Sequence, residues 1–446
     1  MHRARLGRRE FVGMVGGAMA GVLGGAALGQ GRRRPPNVVL MFSDDQGTLD
    51  MGCYGAEDLH TPHMDALAER GTRFSQAYVG ASVCSPSRAS LLTGRYPIRA
   101  GVPGNVGPDN GLPTDQVTMA EMMRDAGYRT ALFGKWHLGH RPGMLPLDQG
   151  FDEFYGHRGG CIDNYSHFFY WNGPNRHDLW RNNEEVWEDG RYFPDLVVRE
   201  ARRFMAENAE RPFFLYLPFN IPHYPLQGKA KYRRMYEGLD APRSEYAALV
   251  STLDEKVGEV VGKVDQLGLR EDTLIVFISD HGHSTEVRTH GGGGYAGDYR
   301  GSKFSLWEGG LRVPAVASLP GVIPENEVRD QACMSMDWLP TIAELTGATL
   351  PARRLDGRSL APVLKSDDAP APRDVMHWQQ GMQWAARDGD WKLVVNGVGA
   401  ADDEKEFLSD LSRDATERKN IAREHPEAVA RLRGLHEGWA EDVKVQ

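Results

Sequence analysis

The stretch Ser82-Val-Cys-Ser-Pro-Ser-Arg-Ala-Ser-Leu-Leu-Thr-Gly-Arg95 puts a reactive side chain beside parts that could use it. Cys84 precedes Ser85 and Pro86, and an apolar run (Ala89, Leu91, Leu92) comes after. Proline near the first helical position marks a helix start, so Cys84 is expected at or beside a helix N-terminus. Unpaired N–H groups and the helix dipole favour an anion there. Arg88 lies one turn further on, on the same side. A lone cysteine is most simply a buried thiol, but this one has company. Asp44-Asp45 closes one apolar run, and Asp280-His281-Gly282-His283 closes another. Two buried strands that each release acidic residues at the C-terminal end can converge on one cation, where open α/β sheets place ligands. Three carboxylates and His281 make a mostly oxygen cage for a hard divalent ion. Lys135 and His137, one residue apart, project to the same side of an extended chain. Asn220-Ile-Pro-His-Tyr-Pro225 is a rigid, proline-flanked turn that presents His223.

Cys84-Ser85-Pro86-Ser87-Arg88 matches a Cys-x-Pro-x-Arg signature, and two further signatures come in order: Gly134-Lys-Trp-His-Leu-Gly139 and Arg300-Gly-Ser-Lys-Phe-Ser-Leu-Trp-Glu-Gly-Gly-Leu-Arg-Val-Pro314. From roughly Pro36 to its C-terminus the chain resembles the type I, formylglycine-dependent sulfatases of the alkaline-phosphatase-like superfamily. The resemblance implies that Cys84 is oxidised to formylglycine by a formylglycine-generating enzyme, and that the hydrated aldehyde is the nucleophile. It implies a Ca²⁺ ion on Asp44, Asp45, Asp280 and His281, with an oxygen of residue 84 as a further ligand. Many relatives have Asn where His281 stands, and imidazole suits transition metals better than calcium. The identity of the cation therefore stays open. Arg88 would steady the nucleophile, Lys135 and Lys303 would bind the sulfate, and Lys303 and His223 would help protonate the leaving oxygen. His137 would take the second hydroxyl's proton. A thiol or serine nucleophile would be trapped in a stable covalent ester, which the geminal diol avoids.

The elements that must hold these groups are legible in outline. Asn37–Ser43, Pro212–Phe219 and Thr273–Ser279 are continuous apolar runs, as expected of strands buried on both faces of an α/β sheet. Thr130 to Gly139 is strand into loop, Phe74 to Val79 a short strand, and Val313 to Leu319 a last strand. Helices are expected from Thr61-Pro62 to Gly71, from Thr118 to Gly127, over 244–267, and over 335–345. Val375–Gln380 and Gln383–Asn396, turning at Asp388-Gly389, form an antiparallel meander closed by a helix over Pro426–Trp439. Between them, residues 150–193 lack periodicity and are rich in aromatics, so they are expected as a functional loop. Its aromatic faces could stack on sugar rings, with Arg158, Asp163, Asn164 or His167 hydrogen-bonding hydroxyls. Ordinary packing is the alternative for most of those aromatics. The expected architecture is a large α/β mixed sheet sandwiched by helices (37–360), with a smaller C-terminal α+β subdomain (361–446).

Composition sets the remaining bounds. A net charge of −9 argues against a surface built to embrace nucleic acid or anionic membrane. Four scattered cysteines without a C-x-x-C pair make neither a disulfide framework nor a zinc site, although one disulfide is possible. Residues 1–29 look like a signal peptide: Arg8-Arg9-Glu10-Phe11-Val12 resembles a twin-arginine motif, and a Gly/Ala-rich stretch comes next, with 30–36 as linker. Periplasmic or extracellular export of the folded protein is the expectation, with no membrane association afterwards. The expected substrate is a sulfated small molecule or saccharide. Two rivals stay open. One is a phosphodiester or phosphonate monoester hydrolase of the same superfamily; the other is a catalytically silent binding protein whose Cys84 is never oxidised. A zinc protein lacks any H-E-x-x-H or paired-cysteine spacing.

Overall fold

The computed structural model describes residues 34–171, 173–401 and 404–444. The expected signal peptide and most of the linker lie outside these residues. Ten strands form one twisted sheet, in the order Glu327–Arg329, Thr72–Phe74, Ala315–Ser318, Thr273–Ser279, Asn37–Asp44, Phe213–Pro222, Arg129–Lys135, Glu153–His157, Trp180–Arg181 and Glu184–Glu185. Asn37–Asp44 sits at the centre, parallel to Thr273–Ser279 on one side and to Phe213–Pro222 on the other. Beyond Thr273–Ser279 the sheet turns antiparallel through Ala315–Ser318.

The reason these central strands are apolar without alternation is visible in their two faces. Val38, Leu40 and Phe42 face one core, together with Leu91, Met122 and Trp338 of the helices Cys84–Thr93, Met119–Asp125 and Trp338–Thr346. Val39 and Met41 face the other, against Leu67, Val197 and Leu253 of Pro62–Glu69, Phe193–Glu207 and Arg243–Gln266. Each strand thus loses apolar area to water on both sides, at about 25 cal/mol per Å². Because the strands run parallel, their C-terminal ends line one edge. Asp44, Lys135, His223 and Asp280 emerge together there.

A second sheet, Val375–Gln380, Gln383–Asp388, Trp391–Val395 and Glu406–Asp410, is wholly antiparallel. The helix Pro426–Asp442 covers one side through Ala428 and Leu432. Its other side joins the main core through Trp378, Ala385 and Phe407. It also braces the catalytic edge: the Ser82 hydroxyl bonds Gln380 Oε1 at 2.9 Å, and Gln383 Nε2 donates to Phe304 O at 2.6 Å. Those two anchors flank Cys84 and Lys303 in sequence.

Three expectations need correction. Residues 150–193 are not a plain loop, since Glu153–His157 joins the main sheet and Trp180–Arg181 and Glu184–Glu185 extend that sheet to its edge. Their signal is hidden by Gly156, which is required because a Cβ there would lie 1.8 Å from Gly134 O. The expected strand Phe74–Val79 is two short strands in different sheets. The chain breaks between them, where Ser75 N donates to Arg329 O and Arg312 Nε donates to Ser75 O. The C-terminal meander gains a fourth strand, Glu406–Asp410, too short and charged to stand out.

Candidate active site

Cys84 is the first residue of the helix Cys84–Thr93, every residue of which is buried. Val83 caps it in extended conformation, without a side-chain bond. Asn105 Oδ1 instead takes the Ser85 N–H at 3.0 Å. One turn on, Arg88 donates to Asp280 Oδ2 at 3.0 Å and to the Lys135 carbonyl at 3.2 Å, and lies 3.3 Å from Asp44 Oδ1. Ser87 Oγ donates to the Asp280 carbonyl at 2.6 Å, so the helix is bolted to the end of the strand Thr273–Ser279.

Around the thiol the acidic groups close up. Cys84 Sγ is 3.8 Å from Asp44 Oδ1 and 3.4 Å from His281 Nε2. His281 Nε2 is 3.4 Å from Asp45 Oδ1 and 3.5 Å from Asp280 Oδ1. Ligand atoms of Asp44, Cys84, Asp280 and His281 all lie within 4.8 Å of one another, as do those of Asp44, Asp45, Cys84 and His223. Lys135 Nζ sits 2.7 Å from Asp44 Oδ2, and Lys303 Nζ reaches both Asp45 oxygens at 2.8 and 2.9 Å. His223 Nε2 is 3.8 Å from Asp45 Oδ2. The sequence-derived groups Asp44, Asp45, Cys84, Arg88, Lys135, His223, Asp280, His281 and Lys303 therefore share one buried cluster. His137 joins Cys84, His223 and Lys303 in the wall of the cavity above it.

Three residues at the same place also carry backbone strain. Asp45, His137 and Phe304 adopt φ values of 64°, 54° and 71°, a left-handed conformation uncommon outside glycine. Each lies in or beside a functional signature, where such strain tends to be held by the surrounding structure. At Asp45 the hold is explicit, because its N–H donates to Asp280 Oδ1 at 3.0 Å.

The electrostatics of the cluster favour a cation. Burial opposes ionisation of Asp44, yet the charges of Lys135 and Arg88 hold its carboxyl well below the usual range. At Asp45 burial wins over Lys303 and His281, and the carboxyl rises to about 6. Burial likewise lifts Asp280 to about 8 despite His281 and Arg88. His281 is pushed to about 9, since Asp280 and Cys84 outweigh the cost of burying its charge. Burial would raise the Cys84 thiol, but Lys135 and Lys303 bring it down to about 5. Burial, with Lys135 and Arg88, keeps His137 neutral, and burial with Lys303 does the same for His223. Two dry carboxylates with raised pKa are short of positive charge, which a divalent cation supplies. The donor set fits such an ion.

The cavity over the cluster has a volume of about 530 Å³. Phe169, Trp171 and Tyr224 line it, with Asn105, His140, Arg176 and Arg288. Arg176 lies over the Phe169 ring at 4.3 Å, and Arg288 over Trp171 and Tyr224 at 4.1 and 4.2 Å. No sequence signal singled out these four polar residues, which come from separate short or irregular segments. The expected sugar-binding residues sit elsewhere. Arg158 stacks on Trp180 at 3.8 Å and donates to Asn183. Asp163 accepts from Gln227 at 2.6 Å, Asn164 from Asn220 at 2.8 Å, and His167 bonds the Arg191 carbonyl at 3.0 Å. None of the four is among the residues lining the cavity. The four cysteines are all free thiols, so the possible disulfide does not form.

Comparison with known proteins agrees with this geometry. The family model "Sulfatase" matches residues 36–348. Human arylsulfatase A is 34% identical over 468 residues, covering 94% of this chain and 90% of its own. The N-acetylgalactosamine-6-sulfatase of Canis lupus familiaris is 34% identical over 373 residues, covering 77% of this chain and 69% of its own. The crystal structure of Ps i-CgsB in complex with k-i-k-neocarrahexaose superposes with a TM-score of 0.82 at 30% identity, covering 91% of this chain and 93% of that one.

Proposed function

This chain belongs to the sulfatase family, and from that premise we propose that it hydrolyses sulfate monoesters on a saccharide, using a formylglycine made from Cys84 and a Ca²⁺ ion held by Asp44, Asp45, Asp280 and His281. One observation carries the reading: three buried carboxylates and an imidazole surround residue 84, with two lysines locked against them, at the floor of one cavity. When present, formylglycine would supply a geminal diol, with one hydroxyl as nucleophile for sulfur and the other as the group whose deprotonation expels sulfate, and the cation would supply positive charge for the substrate's oxygens.

The protein's own groups do the rest. Arg88, wholly buried and tied to both Asp44 and Asp280, fixes the helix start that presents residue 84. Lys135 and Lys303 offer ammonium hydrogens toward the non-bridging sulfate oxygens, and their carboxylate partners keep both side chains from wandering. Lys303 stays charged because Asp45, Cys84 and Glu286 together outweigh the burial penalty. His223 donates its Nδ1 hydrogen to the Tyr224 carbonyl at 2.8 Å, which leaves the Nε2 lone pair free to relay a proton from the Lys303 ammonium to the leaving oxygen. His137 is neutral, and its Nδ1 has no hydrogen-bond partner, so it can accept the proton that frees the product.

The saccharide assignment rests on the cavity wall and on a relative. Aromatic faces at Phe169, Trp171 and Tyr224 suit sugar rings, and the guanidinium groups of Arg176 and Arg288 suit further anionic substituents. Ps i-CgsB, at 30% identity, was solved with a neocarrahexaose bound. Within the irregular segment, Asp163, Asn164 and His167 would act by holding the wall in shape. We also propose twin-arginine export, on the Arg8-Arg9 motif. Among the described residues no helix is long and apolar enough to cross a membrane. A mature N-terminus near Gln30 in an exported fraction supports that route, and retention in the cytoplasm opposes it.

The deciding experiment compares kcat/KM on an aryl sulfate, a panel of sulfated oligosaccharides and an aryl phosphodiester. Sulfate esters should be preferred, with saccharides above the aryl compound. A preference for the phosphodiester would assign the protein to the rival activity.

A further inference from the structure

A second group of ligand-type side chains lies in the irregular segment between the strand Glu153–His157 and the helix Phe193–Glu207. One nitrogen each of His167 and His177 and a carboxylate oxygen of Asp189 lie within 4.8 Å of one another. His167 is fully buried, and the His177 side chain is 3% exposed. The hydrogen bonds of both rings decide which nitrogen is free. His167 Nε2 faces the Arg191 carbonyl at 3.0 Å, and a carbonyl can only accept, so the proton is on Nε2. His177 Nδ1 faces Glu185 Oε1 at 2.9 Å and must donate to that carboxylate. The lone pairs therefore lie on His167 Nδ1 and His177 Nε2. Both are buried atoms with no hydrogen-bond partner.

We propose that His167, His177 and Asp189 bind a divalent first-row transition ion of the Zn²⁺ class, with solvent at the remaining position. Two imidazole nitrogens and one carboxylate favour zinc over calcium or magnesium. The Glu185–His177 bond is the carboxylate–histidine support that ligating imidazoles commonly carry. Trp187 stacks on His177 at 3.8 Å and 6°, which fixes the ring plane.

The consequence reaches the cavity. Phe168–Phe169 pairs with Arg176–His177, with Phe168 opposite His177 and Phe169 opposite Arg176. Alternation along the two strands puts His177 on one face of this hairpin and the cavity-lining pair Arg176 and Phe169 on the other. An ion on the first face ties the hairpin to Asp189 and so fixes the wall that Arg176 presents.

Full-length protein, stripped of metal and held in excess Ca²⁺, is titrated with ZnCl₂ by calorimetry, alongside Asp189→Asn, His177→Ala and Asp280→Asn. Asp280→Asn reports any zinc taken by the catalytic cluster. The expected result is one zinc equivalent that persists in Asp280→Asn, weakens at least tenfold in Asp189→Asn, and is lost in His177→Ala. Zinc should also raise the melting temperature of the wild type more than that of Asp189→Asn. Asp189 is exposed, so its substitution keeps the test valid even if His177→Ala fails to fold. Equal zinc affinity in wild type and Asp189→Asn, or no zinc bound beyond what Asp280→Asn abolishes, would overturn the proposal.

Discussion

Loading the catalytic cluster with Ca²⁺ should expel protons, and their number is set by the metal-free electrostatics. The relevant protein is the chain with unmodified Cys84, expressed without its maturation enzyme. Asp280 at about 8, Asp45 at about 6 and His281 at about 9 are the groups in question. At pH 7 a group of pKa 8 is about nine-tenths protonated, one of pKa 9 almost fully, and one of pKa 6 about one-tenth. A cation binds the deprotonated ligands. If the carboxylates alone ligate, about one proton leaves per Ca²⁺; if His281 ligates as well, about two leave. The free state holds more protons than the loaded state, so affinity must rise with pH. The slope is about tenfold per pH unit for each proton released, or about 1.4 kcal/mol. Above pH 9 the release should fall to less than half and the affinity should flatten. Calorimetric titration in two buffers of different ionisation enthalpy counts the protons directly. Tight binding with no proton release, and an affinity flat between pH 6 and 8, would refute the assignment of these residues as ligands.

Other expectations are simpler. Cys84→Ala and Cys84→Ser should fold but turn over at less than about a hundredth of the wild-type rate, because covalent catalysis is lost; single-turnover assays on an aryl sulfate would show it. Lys135→Ala strips Asp44 of an ammonium 2.7 Å away, and in metal-free protein should cost about 3 kcal/mol in chemical denaturation. A loss of a few tenths would mean the pair does not hold the cluster. Arg176→Ala should raise KM about tenfold for polysulfated saccharides, a loss of about 1.4 kcal/mol, and leave a small aryl sulfate unchanged. Burial holds His157 and His377 neutral down to about pH 3. The unfolded chain takes those protons below about pH 6.5, so stability present above that pH is lost as pH falls toward 3. Each histidine contributes about 1.4 kcal/mol per pH unit, and His377→Gln should flatten the urea-midpoint profile accordingly.

The catalytic centre was legible in the sequence because its geometry is built from strand ends. A parallel strand buried on both faces must be a run of apolar residues, and the residues just past that run must lie at the sheet's C-terminal edge. Asp44-Asp45 and Asp280-His281 stand just past such runs, and they meet across a single strand pairing, Ser43 opposite Ser279. The cavity wall was not legible, because Asn105 and His140 come from irregular segments, and Arg176 and Arg288 from elements of two and three residues, too short to show a period. The same segment hid the partners of Asp163 and Asn164. Gln227 and Asn220 lie more than fifty residues away in sequence, and only the folded chain shows that they occupy those side chains. Short edge strands escaped for a different reason: Glu184–Glu185 and Glu406–Asp410 carry charges where a half-buried strand would show alternation.

The most direct test is the mass of the tryptic peptide that spans residue 84, measured on the same preparation whose sulfate release is assayed. The expected peptide is about 18 Da lighter than the cysteine form, whereas ordinary thiol oxidation adds mass, and the rate of sulfate release should be proportional to the converted fraction. Full-rate sulfate release from protein whose residue 84 carries an intact thiol would contradict a formylglycine nucleophile. So would complete conversion with no cleavage of any sulfate ester.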